Sequence, residues 1–246
     1  MTPPPVTDAG DGDARAPVLT AVMPTYNEAT GIRETLSAWL RELARLGVPY
    51  ELRVYDDGSR DGTGAAVAAL AGDAPSLVLV RQENRGHGPT ILRGYREARG
   101  EWVFQTDSDD EMGPEFLPAV WAARERADLV LGYRDDRKSP AGRRVISTVA
   151  RWSVRLLFGG RLRDVNAPYR LHRRSALAAL LPRVPADTFA PNVILAGLFA
   201  RAGYRIVEVP VPYRTRRTGQ SSIVRWKLWR AAARSLLQTV RVAARR

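Results

Sequence analysis

Apolar and polar positions fall in blocks along this chain, and the period of the blocks switches repeatedly. Val18-Leu19-Thr20-Ala21-Val22-Met23 is a short apolar run between prolines and reads as a buried strand. Ile32, Leu36, Trp39, Leu40, Leu43 and Leu46 then recur at helical spacing until Gly47 stops them. The pair repeats as strand 52–55 with helix 65–70, strand 77–80 with helix 90–98, a strand from Trp102 with helix 115–126, and strand 129–132. Such alternation predicts an α/β fold, a parallel doubly wound sheet with helices on both faces. Further on, 143–158 reads as a basic helix with Val145, Val149, Trp152 and Leu156 on its apolar face. A loop over 163–170, helices over 175–181 and 191–202, and a strand over 204–211 follow. The last helix, 223–246, is basic and amphipathic. Residues 1–16, rich in Pro, Gly, Asp and Ala, read as a disordered tail, so the organisation expected is a tail, one domain over 17–222 and a C-terminal helix.

Chemistry enters where the strands stop. Trp102-Val103-Phe104-Gln105 runs into Thr106-Asp107-Ser108-Asp109-Asp110-Glu111 and then Gly113-Pro114. Four carboxylates within the five residues 107–111 repel one another unless a cation or hydrogen-bond donors sit among them. An oxygen-only set suits a hard divalent cation, Mg²⁺ or Mn²⁺, that shares its shell with substrate phosphates. A second acidic turn, Asp56-Asp57-Gly58-Ser59-Arg60-Asp61-Gly62-Thr63, follows the second strand, and Pro24-Thr25-Tyr26-Asn27-Glu28 follows the first. In doubly wound sheets ligands bind beyond the carboxyl ends of strands, so these loops are expected to line one crevice.

Composition narrows the classes. The chain has no cysteine, which excludes disulfides and thiolate metal sites and fits a reducing compartment, and its two histidines, His87 and His172, argue against a multi-histidine zinc site. The net charge of +12, from 38 basic and 26 acidic residues, favours anionic partners: phosphorylated substrates, an acidic membrane surface or nucleic acid. The start, Met1-Thr2-Pro3-Pro4-Pro5, lacks the basic and apolar regions of a signal peptide, and no apolar run approaches a membrane span. Recognised nucleic-acid motifs are missing as well, so no nucleic-acid partner is expected.

Taken together, Val22-Met23-Pro24-Thr25-Tyr26-Asn27-Glu28, Val54 to Thr63, Asn84-Arg85-Gly86 and Thr106-Asp107-Ser108-Asp109 resemble the family-2 glycosyltransferases. Asp164–Arg170 and Val209-Pro210-Val211-Pro212-Tyr213-Arg214 through Gly219-Gln220-Ser221-Ser222 are similar to the dolichyl-phosphate mannosyltransferase branch, which loads sugar onto a polyprenyl phosphate. The resemblance implies the GT-A fold, a nucleotide-sugar donor (GDP- or UDP-linked), Mg²⁺ or Mn²⁺, and a cytoplasmic enzyme peripheral to the membrane face. It implies a donor site of Pro24, Tyr26, Glu28, Asp56, Asp57, Asp107, Ser108, Arg216, Arg217 and Ser221. It implies a metal at Asp107, Asp109 and Glu111, with Asp109 as the principal ligand. Two departures stand out: Glu111 occupies a position where the branch has Gln, and Asn166-Ala167-Pro168 replaces Thr-Ser-Gly.

The expected reaction is one in-line displacement with inversion. A polyprenyl phosphate acceptor is already ionised and needs cations to orient it, for which Arg134, Arg143, Arg144 and Arg170 are the candidates. A hydroxyl acceptor needs a carboxylate base instead, for which Asp110, Glu111 and Asp187 are the candidates. Asp187 also reads as a helix cap, Tyr26 and Tyr169 as stacking or core residues, and His87 as a loop residue between two glycines. A nucleotidyltransferase and a non-catalytic nucleotide- or nucleic-acid-binding protein are the readings of other classes.

Overall fold

The structure is a computed structural model that describes residues 16–134, 141–212 and 225–245; the side chains of 141–144, 225–229 and 231 lie outside that description. Among the described residues seven strands form one sheet in the order β3-β2-β1-β4-β6-β5-β7. They are β1 (Leu19–Thr25), β2 (Tyr50–Asp57), β3 (Leu77–Gln82), β4 (Trp102–Gln105), β5 (Leu129–Tyr133), β6 (Arg170–Arg173) and β7 (Ile206–Pro210). The helices are α1 (Ile32–Arg45), α2 (Thr63–Asp73), α3 (His87–Glu97), α4 (Leu117–Ala123), α5 (Ala141–Phe158), α6 (Arg174–Leu180), α7 (Pro191–Arg201) and α8 (Arg225–Ala244). One core layer joins the sheet to α1, α2 and α4, with Trp39, Phe104 and Tyr169 in mutual ring contact at 4.9–5.8 Å. A second layer joins the other face to α3, α6, α7 and the end of α8.

β1, β2, β3 and β4 are parallel, as the periodicity predicts. The chain runs outward from β1 to β3 and then crosses back to place β4 on the other side of β1, so the topological switch point lies between β1 and β4. Pro24 marks where these two strands part. The β1–β4 ladder ends at Val22↔Gln105, with Thr106 N–H donating to the Val22 carbonyl at 3.2 Å. Two residues on, the position that would next offer an N–H to β4 is a proline, which has none. Proline is tolerated in this central strand because its β4 side is already open.

β6 is the antiparallel member of the mostly parallel sheet that the GT-A resemblance implies. It inserts between β4 and β5, antiparallel to both. Residues 170–173, Arg-Leu-His-Arg, carry too much charge to read as a strand, yet Arg170 and His172 are completely buried. The tail expected over 1–16 falls outside the description up to residue 15.

His172 illustrates what burial without partners does. Its ring packs against Tyr95 and Phe199, at 5.1 and 5.6 Å, and neither ring nitrogen makes a hydrogen bond among the described residues. Burial, reinforced by the nearby Arg170 charge, drives its pKa well below the usual imidazole value; the Val103 backbone pulls the other way. An imidazole that ionises less readily folded than unfolded destabilises the fold as pH drops below the unfolded value of about 6.5. Denaturant titrations at pH 7.5 and 5.5 should therefore show wild type losing about 1 kcal/mol that His172→Leu does not lose. Equal losses in both proteins would reject the buried neutral imidazole.

Among the described residues no helix is long and apolar enough to cross a membrane. On α5 the apolar face named from the sequence, Val145, Val149, Trp152 and Leu156, meets solvent at 46–76% exposure, while Val154 and Phe158 face the core. The C-terminal helix is packed rather than detached. Val242 and Thr239 are buried, Gln238 bonds Phe189 N and the Asp187 carbonyl, and Arg234 pairs with Asp187 at 2.9 Å.

Candidate active site

The loops after β1, β2, β3 and β4 meet at the switch point. The β1 and β2 loops are fastened together: Asn27 N donates to Ser59 Oγ, Arg60 N to Asn27 Oδ1, Ala29 N to Asp61 Oδ2 and Glu28 N to Thr63 Oγ1, all at 2.8–3.0 Å. This holds Glu28 buried and Tyr26 at the mouth, 41% exposed, where it is available to stack.

Asp56 and Asp57 point to opposite faces of the sheet and do different things. Asp56 Oδ1 accepts from Ser59 N at 2.9 Å. Its Oδ2 lies so near Gly64 at the start of α2 that a Cβ there would come within 2.4 Å, so any side chain at 64 would have to displace the Asp56 carboxylate. Asp57 is expected on the donor but is committed elsewhere: it accepts from Gln82 Nε2, Arg85 N and Gly86 N at 2.6–2.9 Å. It braces the Asn84–Gly86 loop that enters α3. Gly58, at φ +77°, leaves no room for a Cβ against Asn84 N, 2.9 Å away, which completes this junction.

The acidic turn leaves β4 at the open side of β1. Asp107 Oδ1 is buried and accepts no hydrogen bond among the described residues; His87 Nε2, at the first turn of α3, stands 3.7 Å from it. A carboxylate oxygen left so is poised for a cation or donor group. Ser108 is buried, Asp109 Oδ1 accepts from Glu111 N at 3.2 Å, and Asp110 adopts a left-handed φ of +55°. Beyond the turn, buried Met112 and the bond from Tyr169 Oη to the Gly113 carbonyl (3.2 Å) fix where the chain exits. Among the described residues no three acidic or histidine side chains form a complete metal cage. The oxygen donors and the unpartnered Asp107 atom fit a divalent cation only if a ligand's own oxygens fill part of its shell.

On the other side of the crevice the chain leaves the sheet at Tyr133-Arg134 and returns at Arg163-Asp164. Arg134 Nε donates to Asp164 Oδ2 at 2.8 Å, and Asp164 Oδ1 also accepts from Asn166 N at 3.1 Å. Arg163, which sequence reasoning passed over, donates from Nη1 to Tyr133 Oη at 2.8 Å and stacks 4.8 Å over that ring. Its backbone N donates at 2.6 Å to Glu208, whose carboxyl burial pushes up.

Arg170 is a correction. Expected to meet an acceptor, it is completely buried and donates to the carbonyls of Ala167, Asn192 and Val165 at 3.0–3.1 Å. It braces the 164–168 loop against α7. Asp187 is also redirected: it is an exposed partner of Arg234, not a cap, since α7 starts at Pro191. Tyr169 is core, and His87 opens a helix rather than sitting in a loop. Arg143 and Arg144 lie in α5 with side chains outside the described residues, as do Arg216, Arg217 and Ser221 entirely.

With this geometry in place, residues 20–187 match glycosyl transferase family 2. The chain is a family-2 glycosyltransferase. An undecaprenyl-phosphate mannosyltransferase of Micrococcus luteus is 34% identical over 217 residues, 84% of this chain and 87% of that protein. An undecaprenyl-phosphate 4-deoxy-4-formamido-L-arabinose transferase of Pseudomonas fluorescens is 31% identical over 206 residues; the match covers 82% of this chain but 59% of that relative's length. Glucosyl-3-phosphoglycerate synthase of Mycobacterium tuberculosis, solved with Mn²⁺, UDP and phosphoglyceric acid, shares the fold at a TM-score of 0.72 and 21% identity, over 93% of this chain and 79% of that one. In this family-2 glycosyltransferase the acidic turn after β4 therefore stands where the fold and its switch point put a ligand.

Proposed function

We propose that the protein moves a glycosyl group from a nucleoside-diphosphate sugar to a polyprenyl phosphate, with inversion at the anomeric carbon. The observation that carries this reading is the buried Asp107 oxygen, which accepts no hydrogen bond among the described residues and lies at the same sheet edge as the chain's exit from β5 at Arg134. The relatives named for undecaprenyl-phosphate substrates support it.

In this reading Tyr26 stacks on the nucleobase, Asp56 accepts from base or ribose, and the braced 84–86 loop lies along the diphosphate. Asp107 and Asp109, rather than the full set with Glu111, would hold Mg²⁺ or Mn²⁺ together with the donor's own phosphate oxygens, and the cation would neutralise charge developing on the departing nucleoside diphosphate. The bond from the anomeric carbon to the donor's β-phosphate oxygen breaks as an acceptor phosphate oxygen bonds from the opposite face. That oxygen is already anionic, so no protein base takes a proton. Arg134, held through Asp164, and Arg163, held over Tyr133, orient it. The protein works at the cytoplasmic face of the membrane as a peripheral enzyme.

A donor-by-acceptor screen followed by mass spectrometry tests the reading. GDP-mannose, UDP-glucose and UDP-GlcNAc are each supplied with a divalent cation, with and without a short-chain polyprenyl phosphate. Transfer to the lipid phosphate is expected with one donor class. Donor hydrolysis or binding without such transfer would overturn the acceptor assignment, leaving a hydroxyl acceptor with Asp110 or Glu111 as base.

A further inference from the structure

The outward apolar stripe of α5 has no partner among the described residues. Val145, Val149, Trp152 and Leu156 are spaced for one helix face, and all are exposed, Leu156 at 76%. The 18 residues of α5 include four arginines and no acid; the 20 residues of α8, which packs beside it, also contain no acid. Arg155 stacks 5.0 Å over the exposed Trp152 ring. Exposed apolar side chains on a helix whose charged residues are all arginines are complementary to an anionic bilayer, where the rings and aliphatic groups enter the headgroup layer and the guanidinium groups meet lipid phosphates.

Connectivity gives this stripe a purpose. α5 is the excursion between Arg134 and Asp164, and the ion pair between those residues closes its base. Arg151 adds bonds to Thr148 Oγ1 and, at 3.5 Å, to the Arg163 carbonyl. The helix is thus fastened at its root to the cations assigned to the acceptor. An acceptor whose phosphate reaches the site while its hydrocarbon tail stays in lipid requires the protein surface beside that site to touch the membrane.

We propose that α5 is the membrane-docking element, lying on an anionic lipid surface through Val145, Val149, Trp152 and Leu156 and presenting the acceptor site to that surface. This rests on the lipid-phosphate reading for its purpose, but the docking itself is tested without any acceptor.

The test uses the full chain and co-sedimentation with phosphatidylglycerol vesicles containing no polyprenyl phosphate, at low and high salt, beside phosphatidylcholine vesicles. Wild type should bind the anionic vesicles and release with salt. Trp152→Ser combined with Leu156→Ser should lower partitioning about tenfold or more, while donor-nucleotide affinity and transfer to a short water-soluble polyprenyl phosphate stay within twofold. Transfer to a long-chain acceptor embedded in vesicles should fall with the binding. Leu237→Ser on α8 serves as the comparison and should have the smaller effect. Unchanged vesicle binding in the double variant would overturn the proposal. So would a wild-type dimer, seen by light scattering, that the double variant converts to monomer, because the stripe would then be covered by a second copy. If no acceptor phosphate is glycosylated but α5-dependent vesicle binding persists, the docking stands and the acceptor reading falls.

Discussion

Asp109→Ala should reduce metal-dependent turnover by about 10²-fold or more, with the fold intact. Asp109 sits on a turn beyond the last paired residue of β4, and its Oδ1 accepts from Glu111 N at 3.2 Å, so the change falls on the turn and not on the core. The loss falls on catalysis because a ligand that neutralises charge appearing on the leaving group contributes mainly in the transition state. Steady-state rates across a Mn²⁺ titration, with thermal unfolding as the control, provide the measurement. Activity that stays at the wild-type level at every Mn²⁺ concentration would remove Asp109 from the metal site. A rate restored by excess Mn²⁺ would mean that Asp109 sets cation affinity but not chemistry.

Arg170→Ala is the largest stability change expected. The guanidinium is wholly buried in β6, opposite Gln105 of β4 and Leu131 of β5 in register. Its loss leaves the carbonyls of Val165, Ala167 and Asn192 without their donor and opens a void where a long side chain was. Unsatisfied buried acceptors plus a cavity put the cost at about 3–5 kcal/mol, a fall in melting temperature on the order of 10 °C for a chain of this size. Arg170→Lys should recover little, because an ammonium cannot span three carbonyls set around a planar fork. Chemical denaturation reads the difference. A loss below about 1 kcal/mol would show that the 164–168 loop and α7 do not depend on this side chain.

The first half of the fold was legible because its strands are short apolar runs that end in turn residues, and parallel strands put those turns on one edge. The acidic turn after β4, the Asp56 turn and the Pro24–Glu28 loop could be placed together on that argument alone. β6 was hidden for a physical reason. Its buried polar residues are satisfied by backbone carbonyls, as Arg170 is, or held neutral by burial, as His172 is, and neither condition shows in a pattern of residue types. The same limit applied to Asp57, whose partners are backbone amides some 28 residues away in the chain. Periodicity found the apolar stripe of α5 but not its direction, since amphipathicity states that two faces differ and not which one meets solvent. His87 and Arg163 stood next to recognised motifs; what marks them is a neighbour across space, Asp107 for one and Tyr133 for the other.

The late antiparallel strand also constrains how this chain can fold. β4 and β5 do not touch each other as strands; β6 joins them, and it emerges some 40 residues after β5 begins. Until residues 170–173 arrive, β1–β4 and β5 are two separate pieces, each with an unpaired edge lined by Val, Leu and aromatic side chains. Such edges invite pairing with other chains. A nascent or truncated chain ending before Arg173 is therefore an aggregation hazard rather than a smaller donor-binding domain. Solubility should return only once β6 has joined the two pieces and β7 has covered the far edge of β5.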